Sequence, residues 1–285
     1  MLNFRQMMIE NFVHELHEAY RQTYNQMKPQ FANIIEWTGR LALENIANSD
    51  NLYHDIEHTI LVTLVGQAIL KGKHIFEGGV TPRDWMHFTM ALLCHDIGYV
   101  RGVCRDDKPG EYASGINGEK VKINDDWTDS VLTPYHVDRS KLFVQERFGQ
   151  QRLVEDVDPE VIVEIIEMTR FPIPDAPFYK QTATLAGLAR GADFIGQLGD
   201  PNYLRKIPAL FYEFEENGVN GQIGYSTPGH MRKNYTKFYF NVVLPYIGDT
   251  INYLNVTQEG KQWVANLYAH VHKVEHSLVG QNTAN

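Results

Sequence analysis

Apolar residues recur every three to four positions along most of the chain, the spacing of one face of a helix. Phe4, Met8, Phe12 and Leu16 repeat every fourth residue, with Glu10, Glu15 and Glu18 off that stripe, so the segment reads as an amphipathic helix. It would pack on the core, or meet a second copy of the chain in a homodimer. A second helix is expected over 31–46. Asn48-Ser49-Asp50-Asn51 supplies cap residues for a third over 52–72, with Ile56, Ile60, Leu64 and Ala68 as its buried stripe. Thr81-Pro82 reads as an N-cap followed by proline at the first helical position. That helix runs through Trp85, Phe88, Leu92 and Leu93 and stops near Gly98. From 100 to 134 the periodicity fails. The stretch reads as a long loop with a short hairpin near Lys120-Val121-Lys122-Ile123, either a lid over a site or an insertion. Helices resume over 134–148, 159–168, 175–198, 201–216, 227–246 and 257–278. With strand alternation almost absent, the fold class is all-α, a helical bundle read as one domain over 1–285.

Composition narrows the partners. The 285 residues carry a net charge of −9, which argues against polymeric nucleic acid, whose binding rests on Lys and Arg. A small phosphorylated substrate stays open, because it needs only a local positive site. Two cysteines, Cys94 and Cys104, make no disulfide framework. No window approaches the ~20 apolar residues of a membrane span. The first twenty residues carry Arg5, Glu10, Glu15 and Glu18 and lack the apolar core of a secretory signal. A cytoplasmic protein with no membrane contact is expected.

Three clusters carry candidate chemistry. His54 and His58 stand four apart, on one face of the third helix. Cys94-His95-Asp96-Ile97-Gly98 sets an imidazole beside a carboxylate at a helix end, next to a chain reversal. Gly191-Ala192-Asp193-Phe194-Ile195-Gly196-Gln197 sets an acid in an apolar helix, where burial is costly unless it is paired or binds a metal. Each has an ordinary structural explanation on its own; for Asp193 it is an ion pair with Arg190. Together His58, His95, Asp96 and Asp193 lie on three helices, as metal ligands do in bundles. Mixed nitrogen and oxygen donors suit Mn, Mg, Zn, Co or Fe.

The His…His-Asp…Asp series resembles the HD superfamily of metal-dependent phosphohydrolases. His-Asp-Ile-Gly at 95–98 is typical wording for that family, and Ala-Asp-Phe-Ile-Gly-Gln fits its distal Asp. Tyr53-His54-x-x-x-His58 also resembles an element of the cyclic nucleotide phosphodiesterases, with Asp55 where those enzymes have Asn. The resemblance covers about 50–200 and implies an HD-like core with additional N- and C-terminal helices. It implies one or two divalent metal ions per chain, with His58, His95, Asp96 and Asp193 as ligands of the first and Asp96 bridging to a second. The chemistry implied is hydrolysis of a phosphoester of a nucleotide or small metabolite by metal-activated hydroxide. Asp96 would then be catalytic as well as a ligand, and His54 would give a proton to the leaving oxygen. Asp55 and Glu57 are candidates to orient His54 or His58.

Between His95-Asp96 and Asp193 lies one further histidine, His136, a candidate ligand or substrate contact. The related di-iron oxygenases use two there, so that alternative needs His74, His87 or Glu167 to substitute. A third reading is a non-catalytic nucleotide-sensing module on the same scaffold. Arg139, Lys141, Arg170 and Arg190 are candidate phosphate anchors, with Arg139 the one grouped with His136 and Gln197 as substrate-binding. Gln197 lies one turn after Asp193 and shares its face. The cluster Tyr235, Phe238, Tyr239 and Tyr246 reads as core, on C-terminal helices that could close a pocket.

Overall fold

A computed structural model of the protein describes residues 3–124, 126–149 and 156–282; the remainder of the 1–285 domain reading lies outside them. The fold is all-α, with thirteen α-helices among the described residues. The first seven are α1 (Phe4–Tyr24), α2 (Gln30–Ile46), α3 (Ile56–Glu77), α4 (Pro82–Cys94), α5 (His136–Phe148), α6 (Pro159–Glu167) and α7 (Leu185–Leu198). The other six are α8 (Tyr203–Glu216), α9 (Val219–Ile223), α10 (Pro228–Lys233), α11 (Tyr235–Phe238), α12 (Gly248–Leu254) and α13 (Gln258–Asn282). One cluster of buried apolar side chains reaches from Ile9 to Val274. No described helix is long and apolar enough to cross a membrane.

α1 and α2 form a hairpin that packs on α4. The buried face of α1 is Ile9, Phe12, Val13, Leu16, Tyr20 and Tyr24, while Phe4 is 78% exposed and Met8 is also exposed. The expected four-residue stripe therefore fails at its start. A strict repeat of four drifts about 40° per step around a helix of 3.6 residues per turn, so it leaves the core face.

α3 is the central helix, packed between α4, α7 and α12. Its N-cap is Asp55, whose carboxylate accepts from the His58 amide, and not the 48–51 cluster. Its buried residues include His58, Thr59, Val62, Val65, Gly66 and Ile69; Ile60 and Leu64 are half-buried. Of the expected stripe, Ile56 and Ala68 are buried and Ile60 and Leu64 pack on the core at its edge; a helix covered on several sides buries more than one stripe. α4 opens as expected, with Thr81 and Asp84 in a reciprocal capping box. It ends at Cys94, before Gly98, and a 3-10 turn follows over Ile97–Tyr99. Gly98 serves packing: a Cβ there would lie 2.0 Å from the His136 carbonyl oxygen and 2.7 Å from the Ser140 amide of α5.

The 100–134 stretch holds the hairpin, β1 (Glu111–Ala113) antiparallel to β2 (Lys120–Lys122), with Tyr112 opposite Val121. Tyr112, Ile123 and Leu132 make its own small apolar cluster. Several side chains from outside anchor the stretch, among them Arg139 and Glu216. Arg139 reaches it from α5, and the Glu216 carboxylate at the end of α8 accepts from the Thr128 amide (2.7 Å) and from the Ser130 hydroxyl. The helix expected over 175–198 begins only at Leu185, capped by Thr184. That expected over 227–246 is broken into α10, α11 and a π-helical turn over Tyr239–Val243.

Candidate metal centre

The backbone brings α3 and α7 close together. A Cβ on Gly196 would lie 2.7 Å from the Cα of Val62. One turn before these two, His58 and Asp193 face each other, His58 Nε2 being 3.6 Å from Asp193 Oδ1. The end of α4 supplies the other two groups. Asp96 Oδ2 lies 3.2 Å from both His58 Nε2 and His95 Nε2, and His95 Nε2 is 3.8 Å from Asp193 Oδ1. His58, His95 and Asp193 each offer a ligand atom within 4.8 Å of the others, as do His54, His58 and Asp96.

The donor set fits a divalent cation. Two ligand atoms about 2.1 Å from one ion stand roughly 3.0–3.4 Å apart, depending on geometry, close to the spacings here. The His95 Nδ1–H donates to the Leu92 carbonyl at 2.7 Å, which turns Nε2 into the cluster. His95 Nε2 and Asp96 Oδ2 are buried and have no hydrogen-bond partner. Such atoms are costly to leave unpaired, and a cation between them would satisfy both. Charge is concentrated here. Burial alone would raise the Asp96 pKa, but His95 and His58 outweigh it and hold the carboxyl well below its usual range. Burial would likewise lower the His58 pKa, but Asp193 and Asp96 push it up to about 10. A bound cation replaces imidazole protons held in this way.

His54 sits just before α3, and its partner comes from α8. Its Nδ1–H donates to Glu213 at 2.5 Å, and the same carboxylate accepts from the Tyr53 and His54 amides at 2.5 and 3.1 Å. Glu213 is 2% exposed. These bonds leave His54 Nε2 without a proton-fixing partner on that side, available to the site. Asp55 and Glu57 do not orient the histidines through their side chains. Asp55 caps α3, and Glu57 pairs with Lys206 at 3.0 Å. Tyr99 stacks on His54 (ring centroids 4.8 Å) and on His136 (4.4 Å), giving a three-ring stack. His136 opens α5; its Nδ1–H donates to the Thr133 carbonyl at 2.6 Å, and its Nε2 lies 3.8 Å from Asp96 Oδ1. Burial pushes the His136 pKa down, against the opposing pull of Asp96.

A cavity of about 350 Å³ opens on this cluster, lined by His54, Asp96, Tyr99, His136, Asp193 and Gln197 among others. Gln197 shares it as expected, its amide donating weakly to the Tyr203 hydroxyl at 3.4 Å. Arg139 does not reach it. The side chain is fully buried and bridges Asp107, with Nε to the Gly98 carbonyl (2.6 Å) and Nη2 to the Val100 carbonyl (2.9 Å). Its donors are consumed in tying the 100–134 stretch to α5, so it is a structural residue and no substrate contact. Lys141 and Arg170 are neutralised by Glu167 and Asp138. Arg190 does not pair with Asp193; it donates to the Met168 and Tyr179 carbonyls and lies over the Tyr246 ring. Of the substitutes an oxygenase would need, Glu167 belongs to that ion-pair cluster and His87 accepts from the Asp158 amide. His74 packs on Tyr24. The 100–134 stretch is no lid: of its described residues, Thr133 alone lines the cavity.

A comparison with curated proteins finds no match. The model of one family, described as Npun_R2479-like, matches residues 2–277, nearly the whole length, and the chain belongs to the Npun_R2479-like family.

Proposed function

We propose that the protein is a metal-dependent phosphohydrolase of the HD kind, cleaving a phosphoester. The observation that carries this reading is the buried quartet His58, His95, Asp96 and Asp193, in which His95 Nε2 and Asp96 Oδ2 have no other partner. These four residues would hold a divalent cation, and His136 stands at its edge. Such a cation supplies Lewis-acid activation of water and neutralises phosphoryl oxygens. The chain's own residues do the rest. His54, held through Nδ1 by Glu213, presents Nε2 as the proton carrier for the departing oxygen. Tyr99 restrains His54 and His136 by stacking. The apolar cavity wall excludes bulk water and strengthens every charge interaction inside.

Elemental analysis of protein purified without chelators, paired with phosphoester hydrolysis, tests this reading. One or two Mn, Mg, Zn, Co or Fe ions per chain are expected. Asp96→Ala should lose metal and activity while keeping its helical circular dichroism. An Asp96→Ala protein as active as wild type sinks the reading. The di-iron oxygenase is the second reading, favoured by His136 Nε2 standing 3.8 Å from Asp96 Oδ1 and weakened by the engagement of His87 and Glu167 elsewhere. Two tightly retained irons per chain, with no hydrolysis, would select it.

A further inference from the structure

We infer that the substrate carries a compact, uncharged and largely apolar group, of the size of one or two rings, seated against the C-terminal helices. The inference deepens the phosphohydrolase reading and rests on it only for the phosphoester. Away from the metal cluster, the cavity wall comes mainly from α7, α8 and the segment 223–242. Phe194, Tyr203, Leu210, Phe214, Tyr235 and Phe238 are representative of it. Lys237 is the one lysine or arginine among the described residues that line it. The arginines that sequence spacing offered as phosphate anchors are committed to buried bridges and carbonyls elsewhere. A substrate with several phosphates would therefore meet one counter-charge beyond the metal cluster, and desolvating the rest would oppose binding. An apolar ring meets the opposite conditions, because aromatic walls favour ring contacts and release water. The volume of about 350 Å³ is at the small end for ligand sites, so the group is compact. The π-helical turn at Tyr239–Val243 adds Asn241 and Val242 to the wall. Such turns often occur at functional sites. Asn234, Asn241 and Gln197 give the few polar contacts that would orient the group.

The test uses the full chain with two readouts. The first is kcat/KM of Mn-loaded protein for 1-naphthylmethyl (below, naphthyl), glycerol and adenosine phosphoesters, all alkyl esters with leaving groups of similar basicity, each as monoester and as methyl diester. The naphthyl ester should be favoured by about ten- to a hundredfold, the gain from burying one ring. The second is calorimetric binding of 1-naphthol to metal-free protein, which needs no catalysis. Leu210→Trp, filling the wall from α8, should abolish naphthol binding and remove the naphthyl preference, with metal content unchanged. Should that variant not fold, Phe238→Ala should weaken both instead. Equal rates for all esters, a preference for the adenosine ester, or no naphthol binding by folded wild type would overturn the inference. Naphthol binding without hydrolysis of any ester would uphold the apolar site and overturn the phosphohydrolase reading.

Discussion

A carboxylate 159 residues away in sequence sets the orientation of His54. Glu213→Gln keeps the size of the side chain but replaces a double acceptor of charge-assisted bonds with an amide. The expected result is a fall in kcat of about 10- to 100-fold, typical for loss of a group that orients a catalytic histidine, with metal content unchanged. Single-turnover kinetics beside elemental analysis would check it; loss of metal would instead make Glu213 essential to the ligand geometry. Glu167 offers a pH test away from the cluster. Burial would raise its pKa, but Arg170, Lys141 and Tyr179 bring it down to about 2. A depressed carboxyl pKa stabilises fully above the ordinary value near 4.5 and ceases to do so as pH falls through about 2. Glu167→Gln should cost about 2 kcal/mol at pH 7 and progressively less in acid, read from urea unfolding at pH 7 and pH 3. The sequence showed His54, His58, His95, Asp96 and Asp193 because each lies in a short run within or next to one helix, where neighbouring residues mark it. It could not show Glu213, which lies in Glu213-Phe214-Glu215-Glu216, an acidic run that reads as a solvated helix end. Arg139 misled for a related reason: nothing beside it in the chain marks Asp107 as its partner.

At the scale of elements, the junction of the Ile97–Tyr99 turn with α5 sets where His136 stands. The Gly98 amide donates to the Ser140 hydroxyl at 2.9 Å, and that hydroxyl donates to the His95 carbonyl at 2.7 Å. Gly98→Ala would drive a methyl into α5 backbone. Destabilisation of about 2–3 kcal/mol is expected, as for overpacking elsewhere, together with weaker metal affinity as His136 shifts. Urea unfolding and a metal titration would read the two effects, and an unchanged affinity would place His136 outside the metal's reach. A helix with one covered face, such as α2, was legible from periodicity, and α4, buried all round from Trp85 to Cys94, was legible from its Thr81-Pro82 start. Boundaries were lost where tertiary contacts decide them: α3 starts late because Tyr53 and His54 are held by Glu213. The segment 227–246 breaks where it wraps the cavity, and no propensity in its sequence marks the π-helical turn.

Over the whole molecule, the quartet joins helices from the first and last thirds of the described chain, so cation binding should stabilise the fold globally. At a free Mn concentration a hundred times the dissociation constant, the gain is about 2.7 kcal/mol. For a chain of 285 residues that is roughly 4–5 °C in Tm. The shift should appear in differential scanning calorimetry with and without EDTA and vanish in Asp96→Ala; the same shift in that variant would locate the cation elsewhere. The wide sequence separation of the ligands has one more consequence, during synthesis. Ribosomes extend chains at about 5–20 residues per second, so Glu213 emerges roughly ten to thirty seconds after His54. Through that interval the nascent chain exposes histidines and Asp96 without the α7 and α8 acids that complete the site. On the proposed function, an ion that met that partial set would not yet be held by the finished geometry, so the choice of metal would wait until α7 brings Asp193 to the site.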